Sequence, residues 1–358
     1  MDNEVTLTRH VLNGNADDAM ELLSGVDCAA CINKRVDAEK TVGCVHTSLF
    51  DYQRYVTPFC RACEYATIDV VRALIRHGAD LHVTEEGEWY CLHVACASKI
   101  DRLSKVQHLL ELDFTLLSAV NRYKNTPLHI AAYHGHHDAL RHLLEHGASV
   151  NAVGRFDRTP LHYTAFQGSS DCLNTLLRHD ADVEAADESQ STALNIAAAY
   201  GRVENVSILL RHGASIHACD SFKNPPLCNA AYMGRFDVIT LLLERGADVN
   251  VAGFSQQTPL HKASQNGFLT CVSALLQHGA DVRLTDNDGN TPLDLALRSD
   301  QRAVAELLRQ HANIKNQSTI PAPGKPPASS TSCDTQVIYW REEIVTPSLK
   351  RDDGKSLH

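Results

Sequence analysis

The 358-residue sequence predicts an all-α fold, a solenoid of about nine helix-turn-helix units of some 33 residues, linked by short β-hairpin-like turns. Three observations predict it. First, the tetrad Thr126-Pro127-Leu128-His129 returns as Thr159-Pro160-Leu161-His162, Thr192-Ala193-Leu194-Asn195, Pro225-Pro226-Leu227-Cys228, Thr258-Pro259-Leu260-His261 and Thr291-Pro292-Leu293-Asp294, each time after 33 residues. Second, 21 residues past most tetrad starts stands a glycine opening Gly-Ala-Asp or Gly-Ala-Ser, namely Gly147, Gly213, Gly246 and Gly279, with Asp180 in its place once. Third, paired leucines recur in phase between these marks: Leu143-Leu144, Leu176-Leu177, Leu209-Leu210, Leu242-Leu243 and Leu275-Leu276. A fixed period of this length is the signature of stacked supersecondary units.

Each residue type fits one element. The threonine caps the first helix, and the following proline suits its first turn, where the missing N–H would be an orphan anyway. The run Leu128-His129-Ile130-Ala131-Ala132 uses small alanines so that neighbouring units approach closely. Gly135, Gly168, Gly201, Gly234 and Gly267 end the first helix with a residue tolerant of positive φ. The paired leucines form the buried stripe of the second helix, and Gly-Ala-Asp closes it.

This combination of period, motif and phase resembles the ankyrin-repeat family over roughly residues 1–314. The resemblance implies a curved solenoid whose concave face, built from turn tips and first helices, binds other proteins without catalysis. Extending the template backwards, Thr57-Pro58-Phe59-Cys60 opens one unit and Tyr90-Cys91-Leu92-His93 another, which is 36 residues long. Residues 1–30 read as a degenerate N-terminal capping unit, 31–56 as an insertion, 57–314 as eight units, and 315–358 as a Pro/Ser-rich linker and disordered tail. The tail holds one apolar island, Val337-Ile338-Tyr339-Trp340 with Ile344-Val345, read either as chance hydrophobics or as a docking motif.

A net charge of −10 argues against a nucleic-acid partner, which needs a basic face. The start, MDNEVTLTRH, lacks a signal-peptide pattern, and no run of about 18 apolar residues occurs. Twelve cysteines without framework spacing fit reduced thiols, so a soluble, monomeric cytoplasmic and/or nuclear protein is expected. Cys28-x-x-Cys31 and Cys60-x-x-Cys63, with Cys44 and His46 between them, have the look of a zinc site. The repeat register favours another reading, because Cys60 falls in the tetrad-histidine slot and Cys63 in a small-alanine slot. Of twenty histidines, His93, His129, His162 and His261 are tetrad residues expected to bond backbone groups of the inter-repeat turn. His77, His146, His179, His212 and His278 stand at helix C-termini, where a cation is favoured. No nucleophile elbow, phosphate loop or H-E-x-x-H motif occurs, so no cofactor, metal or catalytic residue is assigned.

What remains is a surface. The residue three before each tetrad is expected at a turn tip, and those seven and eight after its start on the exposed end of the first helix. These columns collect eight of the chain's 21 aromatic residues: Tyr123, Phe156, Phe222 and neighbouring Phe254 at the tips, and Tyr133, Phe166, Tyr200 and Tyr232 on the helices. Arg122 and Arg155, with Lys124, Arg158 and Lys223, are expected to give them a basic rim. Aromatic rows of this kind anchor interfaces, so the groove is assigned to a partner peptide or helix, against the alternative that the rings only stabilise the stack. Two further expectations come from resemblance alone. Leu143…Asn151 and Leu242…Asn250 are similar to hairpin targets of an asparaginyl hydroxylase. Thr346-Pro347-Ser348-Leu349-Lys350 looks like the beginning of a SOCS box, without the Cys-Arg pair and apolar helix of that family. It leaves a substrate receptor of an elongin–cullin ubiquitin ligase, with a missing or truncated box, as the alternative function.

Overall fold

The computed structural model describes residues 57–84 and 88–311, together with two short strands, β1 (Val36–Asp37) and β2 (Tyr55–Val56), which pair antiparallel. Among these residues sixteen helices form eight pairs. They are α1 (Pro58–Tyr65) with α2 (Ile68–Arg76), α3 (Cys91–Ala97) with α4 (Arg102–Leu112), α5 (Pro127–His134) with α6 (His137–Glu145), and α7 (Pro160–Gln167) with α8 (Ser170–Arg178). The series continues with α9 (Ala193–Ala199) and α10 (Val203–Arg211), α11 (Pro226–Tyr232) and α12 (Phe236–Glu244), α13 (Pro259–Gln265) and α14 (Leu269–Gln277), and α15 (Pro292–Arg298) and α16 (Arg302–His311). First helices pack on the first helices of neighbouring units and second helices on second helices, so the core is a continuous two-layer strip. The capping unit expected within 1–30 and the tail from 315 lie outside the described residues.

The alanines of the first helices, such as Ala131, Ala132, Ala197 and Ala198, are fully buried where adjacent helices meet. The leucine pairs do the same work one layer out, with Leu143, Leu176, Leu209, Leu242 and Leu275 inaccessible to solvent. Asp180, standing where other units carry glycine, adopts φ 63°, so the turn keeps its left-handed geometry at the strain of a Cβ. The long unit absorbs its extra residues in an eleven-residue α4 and in a 3-10 turn at Phe114–Ser118.

The tetrad histidine ties each unit to the next. In His129, Nδ1 accepts from the Thr126 backbone N–H at 3.0 Å and from its hydroxyl at 2.8 Å, while Nε2–H donates to the Arg158 carbonyl at 3.1 Å. His162 repeats this with Thr159 and the Ser191 carbonyl, and His261 with Thr258 and the Asn290 carbonyl. Both ring nitrogens are committed in the neutral tautomer. Complete burial holds His93, His129 and His162 down at about 4, and burial also lowers His261. Asn195 performs the same task without titrating, its Oδ1 accepting from Thr192 and its Nδ2 donating to the Ala218 carbonyl at 3.0 Å.

Candidate functional site

The turns between units are fingers, each closed by a backbone bond from the residue five before the tetrad to the carbonyl one before it. They fall into two kinds. In the fingers opened by Asp187, Asp220 and Asp286, one carboxylate oxygen accepts two backbone N–H groups of its own turn, at 2.9–3.0 Å. Each of these fingers also donates a backbone N–H to the tip carbonyl of the finger before it: Glu188 to Phe156, Ser221 to Ser189 and Asn287 to Ser255. In the fingers opened by Gly154 and Gly253 the carboxylate is missing and that tip bond is absent. There the Asn125 and Asn224 side chains of the preceding finger accept from the Arg155 and Phe254 N–H groups, at 3.1 and 3.0 Å. A Cβ on Gly154 or Gly253 would collide with those same Asn oxygens, so the glycine makes room for the bond. These fingers turn through two successive left-handed residues, Phe156 (φ 58°) with Asp157 (56°) and Ser255 (55°) with Gln256 (59°).

The tip aromatics sit at these two junctions. Phe222 and Phe254 meet edge to face at 5.7 Å. The Arg155 guanidinium lies 4.9 Å from the Tyr123 ring centre and 4.4 Å from that of Phe156, Arg158 lies 5.2 Å from Phe156, and Arg122 lies 5.9 Å from Tyr123. Arg122 and Phe254 are exposed; Tyr123, Arg155, Phe156 and Phe222 are half-buried. On the helices, Tyr133 stacks on Phe166 at 6.2 Å and Phe166 meets Tyr200 edge to face at 4.7 Å, giving a ring ladder across three consecutive units. Tyr232 stands apart, with the Lys262 ammonium 5.8 Å from its ring.

Two expectations need correction. Tyr133, Phe166 and Tyr200 do not stand free on the helix ends; each is half-buried and packed against the core, because the next unit's ring leans onto it. Arg158 is not on a basic rim. It is buried at 2% exposure and its Nε meets Asp187 Oδ2, itself at 1%, at 3.3 Å. Burial pushes the Asp187 carboxyl up and the Arg158 guanidinium down, so desolvation outweighs their mutual attraction. Lys124 and Lys223 are exposed, and both adopt φ 62°.

Sequence reasoning passed over Tyr163. It is buried between the two aromatic columns, 6.1 Å from Tyr133 and 5.7 Å from His129, and its hydroxyl donates to Asn125 Oδ1 at 3.3 Å. A tyrosine in the column otherwise held by Ile130 and Ile196 was the available signal. Lys105 was passed over too: its buried ammonium donates to the Cys63 carbonyl and Ser98 Oγ, both at 3.0 Å, and burial lowers it to about 8.

Cys60 and Cys63 are fully buried in α1, and Cys60 Sγ donates to the Val83 carbonyl at 3.8 Å. Cys28, Cys31, Cys44 and His46 lie outside the described residues, and no group of three metal-ligating side chains occurs among the described ones. Asn151 Oδ1 accepts from Asp182 N–H and Asn250 Oδ1 from Asp281 N–H, both at 2.8 Å, so each amide bridges to the next unit. No helix among the described residues is long and apolar enough to cross a membrane. Thr346–Lys350 lies outside the described residues.

A stack of capped helix pairs with fingers on one edge and no reactive cluster among its described residues defines a repeat module that presents surface. The family model for ankyrin repeats matches over 59–153, 92–187, 161–253 and 227–319, and the chain belongs to the ankyrin-repeat family, whose repeats are protein–protein interaction modules. It is similar to the ankyrin repeat domain of human ASB11, with 29% identity and a TM-score of 0.56 over 66% of this chain and 99% of that one. It is also similar to the ankyrin repeat domain of Bcl-3, a member of the IkappaB family, with 34% identity and a TM-score of 0.52 over 61% and 97% of the two chains. Bovine ankyrin repeat domain-containing protein 49 is 46% identical over 55 residues, covering 15% of this chain and 23% of its own length.

Proposed function

We propose that this chain is a non-enzymatic scaffold or adaptor that holds a partner protein on the face formed by the fingers and first helices of the units opening at Thr126, Thr159 and Thr192. The observation that carries the reading is Phe156. A bulky non-glycine residue in the left-handed region is strained, and such strain gathers at functional positions. Here it presents an aromatic ring at a finger tip between Arg155 and Arg158, with Tyr123 beside it. Half-exposed aromatics with arginine neighbours supply large contact area at small ordering entropy, and a preformed solenoid face keeps the entropy of docking low.

Phe156→Gly combined with Tyr123→Ser separates binding from folding, because glycine relieves the strain that removal of the ring would otherwise add to. Partner capture from cell lysate should be lost, with the melting temperature within a few degrees of the parent. Unchanged capture would remove this face from the function. In the same reading Asn151 and Asn250 are hydroxylation sites, checked by a mass gain of one oxygen on each hairpin peptide after incubation with the hydroxylase.

A further inference from the structure

The proposed face has cations at its rim and aromatic rings on its floor, and the same chain carries a segment of matching chemistry. We infer that Val337–Val345 is an intramolecular occupant of this face, docking its Tyr339-Trp340 pair on the aromatic floor and its Glu342-Glu343 pair against Arg122 and Lys124. The inference rests on the reading of this face as a protein-binding surface.

Charge complementarity is the first argument. Arg122 and Lys124 flank Tyr123 on one exposed turn, and no ion pair engages either among the described residues. They stand out in a chain of net charge −10. The tail reads apolar-aromatic and then acidic, Val337-Ile338-Tyr339-Trp340-Arg341-Glu342-Glu343. Its one cation, Arg341, has exposed acids within reach on the following fingers, Asp157 and Glu188.

Reach is the second argument. The last described helix ends at His311, so 25 residues, 312–336, precede the segment. A chain of that length spans up to about 80 Å extended and about 28 Å on average when flexible. From the unit of α15 and α16 back to that of α7 and α8 is four helix-packing steps, roughly 32–40 Å. Tethering at that distance gives an effective concentration approaching the millimolar range, so contacts too weak to act between separate molecules keep the face occupied. A partner then binds in competition with the tail, and its apparent affinity falls by the fraction of faces the tail covers.

The chain has two tryptophans, Trp89 and Trp340, so Trp89→Phe in the full chain makes Trp340 the single reporter. Acrylamide quenching of Trp340 should be weaker in that protein than in the free peptide 332–350. Arg122→Glu with Lys124→Glu should lower the docking equilibrium by about tenfold, from ion pairs of up to ~1 kcal/mol each, and raise quenching toward the peptide value. Adding Glu342→Arg with Glu343→Arg should restore protection, a rescue that misfolding would not produce. If Trp340 is quenched in the parent as readily as in the free peptide, or if charge reversal changes nothing, the tail does not occupy this face. Partner capture lost on charge reversal while Trp340 stays exposed throughout would overturn tail docking and leave the binding face standing.

Discussion

The fingers opened by aspartate and those opened by glycine solve the same problem in different ways. Where Asp187, Asp220 or Asp286 opens the finger, its carboxylate braces the turn from within and a backbone bond joins it to the finger before. Where Gly154 or Gly253 opens it, the brace comes from outside, as an Asn side chain 29 residues upstream, and the joining bond is lost. The aromatic tip pairs, Tyr123 with Phe156 and Phe222 with Phe254, occur at the second kind of junction. Their rings supply inter-finger contact where the backbone ladder is interrupted, so the stabilising and the binding readings of these residues describe two sides of the same rings.

The largest expected effect lies at the aspartate junction between the units opening at Thr159 and Thr192. Arg158→Met leaves Asp187 buried without its cation and should cost about 3–5 kcal/mol in urea unfolding. Adding Asp187→Asn removes the orphaned charge while keeping an acceptor for Ser189 and Ser191, so the double variant should recover most of the loss. A single variant costing under about 1 kcal/mol would mean that the pair is not the brace it resembles.

Next comes the glycine junction itself. Gly154→Asp puts a side chain where Asn125 Oδ1 lies and should cost about 1–3 kcal/mol by overpacking. Asn125→Ser in the same chain copies the pairing found before the aspartate finger at Asp220, which follows Ser191. The double variant should therefore be more stable than the sum of the single changes predicts, with a coupling of at least about 1 kcal/mol in a double-mutant cycle. Strict additivity would show that Asn125 and Gly154 are not one device.

How much of this was legible in advance follows from the physics of each position. The period, the caps and the tetrad-histidine bonds were readable because every unit repeats the same local chemistry, and seven further copies check any one of them. Arg158 was misread because its column also holds Asn125, Ser191 and Asn224, and only the distance to Asp187 shows that this arginine turns inward. The half-burial of Tyr133, Phe166 and Tyr200 escaped for a related reason: exposure in a solenoid depends on the size of the neighbour one unit away. The Asn-to-Gly spacing of 29 residues was in the sequence all along, but it crosses the unit boundary that a 33-residue template imposes.

The histidine bond is common to both kinds of junction and gives the third effect. Because the folded His162 titrates near 4 and the unfolded ring near 6.5, the unfolded chain takes up a proton that the folded one refuses between those values. Stability present above pH 6.5 is therefore lost as pH falls toward 4, at about 1.4 kcal/mol per pH unit for this residue. His162→Asn copies Asn195 and should lower the proton uptake on unfolding by about one between pH 4.5 and 6, measured as the pH slope of the urea midpoint. An unchanged slope would mean that His162 is protonated in the folded unit.

The smallest effect separates turn strain from side-chain function. Lys223 holds φ 62° on an exposed aspartate-type finger, and the equivalent residue in the last finger is Gly289 at 77°. Lys223→Gly should raise stability by up to about 1 kcal/mol, the left-handed penalty less the added entropy of glycine in the unfolded chain. At the glycine junction Phe156→Gly gains the same relief but loses the ring contacts with Arg155 and Arg158, and it should come out near neutral. The difference between the two changes measures what the Phe156 ring contributes to the stack. If Phe156→Gly stabilises as much as Lys223→Gly, the ring contributes nothing to folding, and the strain at Phe156 is held entirely for what docks there.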